Sequence, residues 1–245
     1  MKVLIAGGRG RVGSKVADLL ESNQVEVVAG GLADGVDYIA GTRVAEVLDG
    51  VDTIINVLNT GRFDEEGAVS FFEESTRTLT AEGERAGVKH HVLLSIVGVG
   101  EGDASEIGYY LGKVAQERAL KEGSLPFTIV RSTQFQGYIP VLADQHAVED
   151  KVLAPRDLIQ PVELDEVVAL LAEIALAGAP RGEVEIAGPE RFHMDDLLRA
   201  TLAASGDARE VVTVDGEGKI DAMVPRGEYR AGKTLYPLRG IPLAG

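Results

Sequence analysis

Two groups of residues in this chain have the types and spacing to do chemistry. The first is the run Ala6-Gly7-Gly8-Arg9-Gly10-Arg11-Val12-Gly13, which follows at once on the apolar stretch Val3-Leu4-Ile5. Glycine permits a tight turn and close main-chain approach to a pyrophosphate. A helix starting in the loop would aim unpaired N–H groups and a positive dipole end at the same anion. The context suits that reading, since Val16, Leu19 and Leu20 form an apolar stripe on the next segment and Val25-Glu26-Val27-Val28 reads as a second strand. The second group is Tyr109-Tyr110-Leu111-Gly112-Lys113, downstream of Ser95. On a helix, positions i and i+4 share a face, so an ammonium at Lys113 can lower the pKa of the Tyr109 phenol from near 10 toward the range useful for proton exchange. Tyr110, at i+3 from Lys113, competes for that role, and the expectation falls on Tyr109. Ser95 ends an apolar run, where its hydroxyl could polarise a substrate carbonyl. The competing interpretation is an amphipathic helix whose tyrosines pack and whose lysine is solvated.

The elements that must position these groups alternate along the chain. Val51–Leu58, His90–Ile96 and Phe127–Val130 are nearly continuous apolar runs, as expected of strands covered by helices on both faces. Between them, residues 64–87 carry Ala68, Phe71, Phe72 and Leu79 at helical spacing and end at a glycine. This pattern predicts an α/β fold with a doubly wound, mostly parallel sheet that binds ligands at the carboxyl ends of its strands. After about Pro140 the texture changes. A helix over Glu163–Leu171, a strand over Gly182–Gly188 and a helix over Met194–Ala204 are expected, followed by a Gly- and Pro-rich tail over Gly227–Gly245 that wraps the body or covers a pocket. The expectation is a single domain over residues 1–245, in which about 135–245 contributes a small C-terminal substrate lobe.

Composition narrows the function. At 245 residues and 45% hydrophobic content the chain can bury a full core. A net charge of −15 disfavours nucleic acid as a partner, because a duplex binder needs a basic face. No cysteine is present, and no apolar run has signal-peptide or membrane length, so a soluble cytoplasmic protein with no membrane partner is the expectation. His90 and His91 read as surface or helix-packing residues, and no spacing suggests a metal. The acidic pairs Glu65-Glu66, Glu73-Glu74 and Asp195-Asp196 read as solvated faces or first-turn helix acids. Gln134, Phe135, Gln136 and Tyr138 could line a substrate pocket, with Phe135 and Tyr138 equally suited to a core.

Over roughly residues 1–200 the chain resembles the atypical, NmrA-like branch of the short-chain dehydrogenases/reductases. The loop Gly7-x-x-Gly10-x-x-Gly13, the strand end Ser95-Ile96-Val97-Gly98 and the helix Tyr109–Glu117 carry the resemblance, with further likeness in Gly50–Ile55 and Thr128–Arg131. It implies a Rossmann fold with the phosphate loop Gly7, Gly8, Arg9, Gly10, Arg11, Val12 and Gly13 on the pyrophosphate. Leu58, Asn59 and Thr60 would pass near the cofactor, Lys113 would hold the nicotinamide ribose, and Ser95 and Tyr109 would face the reacting carbonyl. The cofactor preference should be written after the second strand, by an acid for a ribose 2′-hydroxyl or a base for a 2′-phosphate. Gly30-Gly31-Leu32 stands there with Asp34 a few residues late, so neither signature is read. Arg9 and Arg11 shift the expectation to NADP, with NAD possible. The implied function is an NAD(P)-dependent oxidoreductase acting on a small-molecule carbonyl or quinone-like substrate. The alternatives are a catalytically silent dinucleotide sensor with a protein partner, and a sugar-nucleotide epimerase or dehydratase.

Overall fold

The computed structural model describes residues 1–62, 64–100, 108–178, 182–215 and 223–244. Strands β1 (Lys2–Ala6), β2 (Glu26–Gly30), β3 (Thr53–Asn56), β4 (His90–Ile96), β5 (Phe127–Ser132), β9 (Gly182–Ala187) and β12 (Tyr229–Ala231) form one sheet in the order β12-β9-β5-β4-β3-β1-β2. The apolar runs seen in the sequence explain its centre. Val3 to Ala6 of β1 and all four residues of β3 are buried, as both-face coverage requires. β1 pairs in parallel with β2 on one side and β3 on the other, placing Leu4 beside both Val28 and Ile54, and β3 pairs in parallel with β4. The chain therefore winds outward from β1 to β2, then reverses to β3. That reversal opens a crevice at the carboxyl ends of β1 and β3, where an open α/β sheet binds ligands.

Contacts divide the chain into two compact units. The first comprises Met1–Ser95, Ser105–Arg131 and Val167–Val184. Its helices are α1 (Arg11–Ser22), the short α2 (Val44–Val47), α3 (Glu65–Ala86) and α4 (Gly108–Glu122). α3 begins where the Asp64 carboxylate accepts the Gly67 N–H at 2.8 Å, and it ends at Gly87 with φ +75°, the left-handed residue that closes a helix. α4 lies close against α3, and Gly112 makes the approach possible. A Cβ there would stand 2.7 Å from Cδ2 of Phe72 and 2.9 Å from the Ala68 carbonyl. His90 and His91 are fully buried, not at the surface. His90 Nε2 meets Thr128 Oγ1 at 2.9 Å, and His91 Nδ1 packs on Thr80 of α3 at 3.4 Å.

The second unit comprises Ile96–Ala104, Ser132–Glu166 and Glu185–Gly245. It contains α5 (Ile139–Gln145), β6 (Ala147–Val148), β7 (Lys151–Pro155), β8 (Leu158–Ile159), β10 (Phe192–His193), α7 (Met194–Ser205) and β11 (Glu210–Val214), with sheets in the orders β11-β7-β6 and β10-β8. α6 (Leu164–Ala177) begins in this unit. Its core gathers Ile139, Leu142, Val152, Phe192, Leu197 and Tyr236. The tail wraps this core, since Tyr236 is buried edge-on to Phe192 with centroids 5.8 Å apart. Asp195, in the first turn of α7, is buried and accepts a hydrogen bond from Thr213 at 2.7 Å, so it is no solvated acid. Among the described residues no helix is long and apolar enough to cross a membrane, and no cluster of His, Cys, Asp and Glu could hold a metal ion.

Candidate functional site

The loops after β1, β2 and β3 enclose a cavity of about 480 Å³ within the first unit. Gly7, Arg9, Gly10, Arg11 and Val12 line it from the first loop, Gly31 to Asp34 and Val36 to Ile39 from the second, and Val57 to Asn59 from the third. Phe71 and Ser75 of α3 complete the wall.

The glycine loop is shaped by its own backbone. Gly7 adopts φ +88°, donates its N–H to Gly30 O at 2.9 Å and accepts one from Gly10 at 2.9 Å. A Cβ at Gly7 would lie 3.0 Å from Val57 O, and one at Gly13 would overlap the Gly7 carbonyl. Gly10 is the N-cap of α1, which has no side-chain cap and no acid in its first turn. Its first amides and positive dipole end therefore remain available to an anion in the cavity. This cradle fits the pyrophosphate of a dinucleotide. Gly8 and Gly13 are buried in the turn behind it, and Thr60, Ser95 and Lys113 are not among the described lining residues.

Asp34 arrives in the cavity by a route the sequence spacing hides. A single 3-10 turn, Leu32–Asp34, brings the chain back after β2, and Arg9 Nε donates to Asp34 Oδ1 at 2.6 Å while a second guanidinium nitrogen closes the ion pair. That hydrogen bond, with the adjacent charge, outweighs desolvation and holds the Asp34 carboxyl below the usual carboxylate range. Arg43 donates to the Asp34 backbone carbonyl at 2.9 Å and steadies the turn. Asp34 thus lies beyond the end of the second strand, as the sequence spacing implies, and still lines the cavity.

Tyr109, Lys113 and Ser95 lie around α4 with distinct partners. Tyr109 donates its hydroxyl to Asn59 Oδ1 at 2.8 Å, and Asn59 also accepts the Thr60 amide at 2.9 Å. The Tyr109 ring stands edge-on to Phe72, centroids 5.5 Å apart. Burial pushes the neighbouring Tyr110 phenol up to about 12. Lys113 is 4% exposed, donates from Nζ to Leu94 O at 2.8 Å and to Gln116 Oε1, and sits 4.9 Å from the Phe72 ring centroid. Burial pushes its pKa down to about 7, against the opposing charge of Glu117. Two N–H donors suffice for its two acceptors, so the neutral amine satisfies the site. Ser95 is 1% exposed and donates to Glu117 Oε1 at 2.7 Å. Arg131 grips the same carboxylate through both oxygens, at 2.9 and 2.6 Å. Burial raises the Glu117 pKa, but the hydrogen bonds from Arg131 and Ser95 outweigh it and keep the group ionised. In this arrangement the Ser95 proton points at Glu117 and not at a ligand.

Residues 7–138 match a protein family described as NAD(P)H-binding, which is more than half of the chain. The chain belongs to the NAD(P)H-binding family. The family binds a nicotinamide dinucleotide, whose reactive part supplies or accepts a hydride, and the glycine loop from Gly7 lies within the matched residues. No curated protein matches the sequence. Solved structures with the same fold include a dTDP-4-dehydrorhamnose reductase from Clostridium acetobutylicum (17% identity, TM-score 0.69, 95% of this chain and 90% of that one). The corresponding reductase from Bacillus anthracis, in complex with NADP, is 15% identical (TM-score 0.69, 88% of this chain and 84% of that one). A short-chain dehydrogenase/reductase superfamily protein from Agrobacterium tumefaciens with bound NAD is 17% identical (TM-score 0.65, 88% and 85%). At these identities the likeness is one of fold, and it is the fold that the resemblance to short-chain reductases implied.

Proposed function

We propose that this NAD(P)H-binding protein is an oxidoreductase that moves a hydride between nicotinamide and a small-molecule carbonyl or quinone-like carbon, with Tyr109 exchanging the proton. The observation that carries the proposal is the hydrogen bond from the Tyr109 hydroxyl to Asn59, a residue of the cavity wall. It ties a phenolic proton to the loop that follows β3, beside the phosphate cradle. Tyr110 is the weaker choice because burial raises its pKa and makes it a poorer acid at neutrality. Lys113, one turn from Tyr109, assists by anchoring that turn of the helix through Nζ to Leu94 O and Gln116 Oε1. Ser95 enters substrate contact if its hydroxyl leaves Glu117. The sugar-nucleotide reductases among the structural neighbours make a nucleotide-linked sugar one carbonyl substrate to include in a screen.

A specific observation also favours the sensor reading. Both Ser95 and Lys113 are buried and hydrogen-bonded to the protein itself, an arrangement that needs no substrate. The two readings separate in one experiment, in which NADPH absorbance is followed against quinones, ketones, imines and nucleotide-linked ketosugars for wild type, Tyr109→Phe and Tyr110→Phe. The enzyme reading expects turnover that Tyr109→Phe lowers by roughly 10²- to 10⁴-fold and Tyr110→Phe leaves nearly intact. Tight cofactor binding with no turnover on any substrate would turn the conclusion to the sensor.

A further inference from the structure

We propose that Asn59 is a positioning residue for Tyr109: its side-chain oxygen holds the phenol in its protonated form at the cavity wall, so that the site rests in the acid state that reduction of a carbonyl requires. Tyr109 donates its hydroxyl to Asn59 Oδ1 at 2.8 Å, and Asn59 lines the cavity. A side-chain amide has an accepting end and a donating end, and one contact alone does not say which end faces the phenol. A second donor settles it here. The Thr60 main-chain N–H meets the same Oδ1 at 2.9 Å, and an N–H needs an acceptor, so the oxygen is fixed between the two donors. The Phe72 ring, edge-on with centroids 5.5 Å apart, limits the swing of the Tyr109 ring away from this contact.

An acceptor held in this way favours one state of the phenol. A phenol has a proton to give it, whereas a phenolate would set its own lone pairs against those of Oδ1. The amide cannot turn Nδ2 toward a phenolate without setting an N–H against the Thr60 N–H. The cation one turn along α4 is directed elsewhere, since Lys113 Nζ donates to Leu94 O and to Gln116 Oε1, and burial pushes its pKa down to about 7. Tyr110, next on α4, is kept a phenol by burial, and α3 presents the uncharged Phe72 ring. The inference rests on the reading of Tyr109 as the proton-exchanging group and gives that reading a direction. In reduction, hydride reaches the carbonyl carbon while the carbonyl oxygen replaces Asn59 Oδ1 as acceptor and receives the Tyr109 proton. The phenolate left behind regains a proton from solvent. As it stands the site is loaded for that step, and oxidation of an alcohol would first have to empty it.

The test is a titration of the phenol itself on the full chain, so it needs no substrate. Near-ultraviolet absorbance of phenolate is recorded against pH for wild type, Asn59→Ala and Asn59→Asp, and each curve is corrected by that of the same protein carrying Tyr109→Phe, which isolates the Tyr109 signal. Asn59 is exposed, so neither substitution disturbs a core. In wild type the isolated phenolate signal should be absent at about pH 8. Asn59→Ala lets water take the position, and water turns to donate to a phenolate, so the ionisation constant should rise about three- to tenfold. Asn59→Asp keeps an acceptor and adds negative charge, so the constant should fall below that of wild type. A merely structural role would not move the constant in opposite directions. An ionisation midpoint in Asn59→Ala equal to or above that of wild type overturns the proposal, as does a midpoint in Asn59→Asp below it. A wild-type phenolate at about pH 8 overturns it as well. Turnover of NADPH untouched by Tyr109→Phe would instead overturn the catalytic reading, while the titration still decides the hold of Asn59 on the phenol.

Discussion

At a helix start an arginine opposes the macrodipole, and Arg9 stands at the edge of one. What compensates it is Asp34, whose carboxylate takes the guanidinium within the cavity. The pair gives the site a partner exchange that bears on cofactor choice. A 2′-phosphate is a better bidentate partner for arginine than a surface carboxylate is, but it must draw Arg9 away and tolerate Asp34 nearby. Arg9→Ala should therefore weaken NADP by about tenfold or more while changing NAD less. Asp34→Asn removes the competing charge and should move the preference toward NADP. Dissociation constants for both cofactors in the two variants decide it, and an NADP affinity untouched by Arg9→Ala would transfer the role to Arg11 or dismiss it.

At the scale of elements, the contact between α3 and α4 sets where the proposed catalytic helix lies. Gly112 lets Phe72 and Ala68 approach the α4 backbone, and Phe72 in turn touches Tyr109 and Lys113. Gly112→Val should force the helices apart and destabilise the protein by about 1–3 kcal/mol, read as a lower urea midpoint with an unchanged slope. A midpoint equal to wild type would mean that the contact yields freely and does not fix α4. Much of this was legible beforehand. β1, β3 and β4 announced themselves as apolar runs, α1 and α3 through periodicity and Gly87, and the glycine loop through its setting between strand and helix. What stayed hidden depends on contacts between distant residues. Asp34 looked late because only the 3-10 turn Leu32–Asp34 and a contact with Arg9, 25 residues away, give it a place in the cavity. The grip of Glu117 on Ser95 had a local sign, since Glu117 follows Lys113 by one helical turn, but Arg131 on the next strand completes it. β6, β8 and β10 are two residues long, too short for any period to show.

For the whole molecule, the buried Lys113, His91 and Glu117 set how stability varies with pH below about pH 10, and their signs agree. Lys113 has a folded pKa of about 7 against 10.5 when free, so between those values the unfolded chain binds the extra proton and stability rises with pH. His91 is pushed down to about 3 from 6.5, first by burial and then by the charge of His90, so the unfolded chain again takes the proton first as pH falls through that window. Glu117, held below 4.5 in the fold, adds stability that is present above its unfolded value and is lost as pH drops through its folded one. Above about pH 10 the sign reverses, because burial raises the Tyr110 phenol and the unfolded chain loses that proton first. Urea unfolding across this range should therefore show the free energy climbing from acid to mildly alkaline pH. Lys113→Met should flatten the limb above neutrality and leave the acid limb in place, because His91 and Glu117 remain. If wild-type stability instead fell between pH 7 and about 9.5, Lys113 would be a charged residue in the folded protein. The neutral amine bridging Leu94 and Gln116 would then have to be replaced by an ammonium with a third partner.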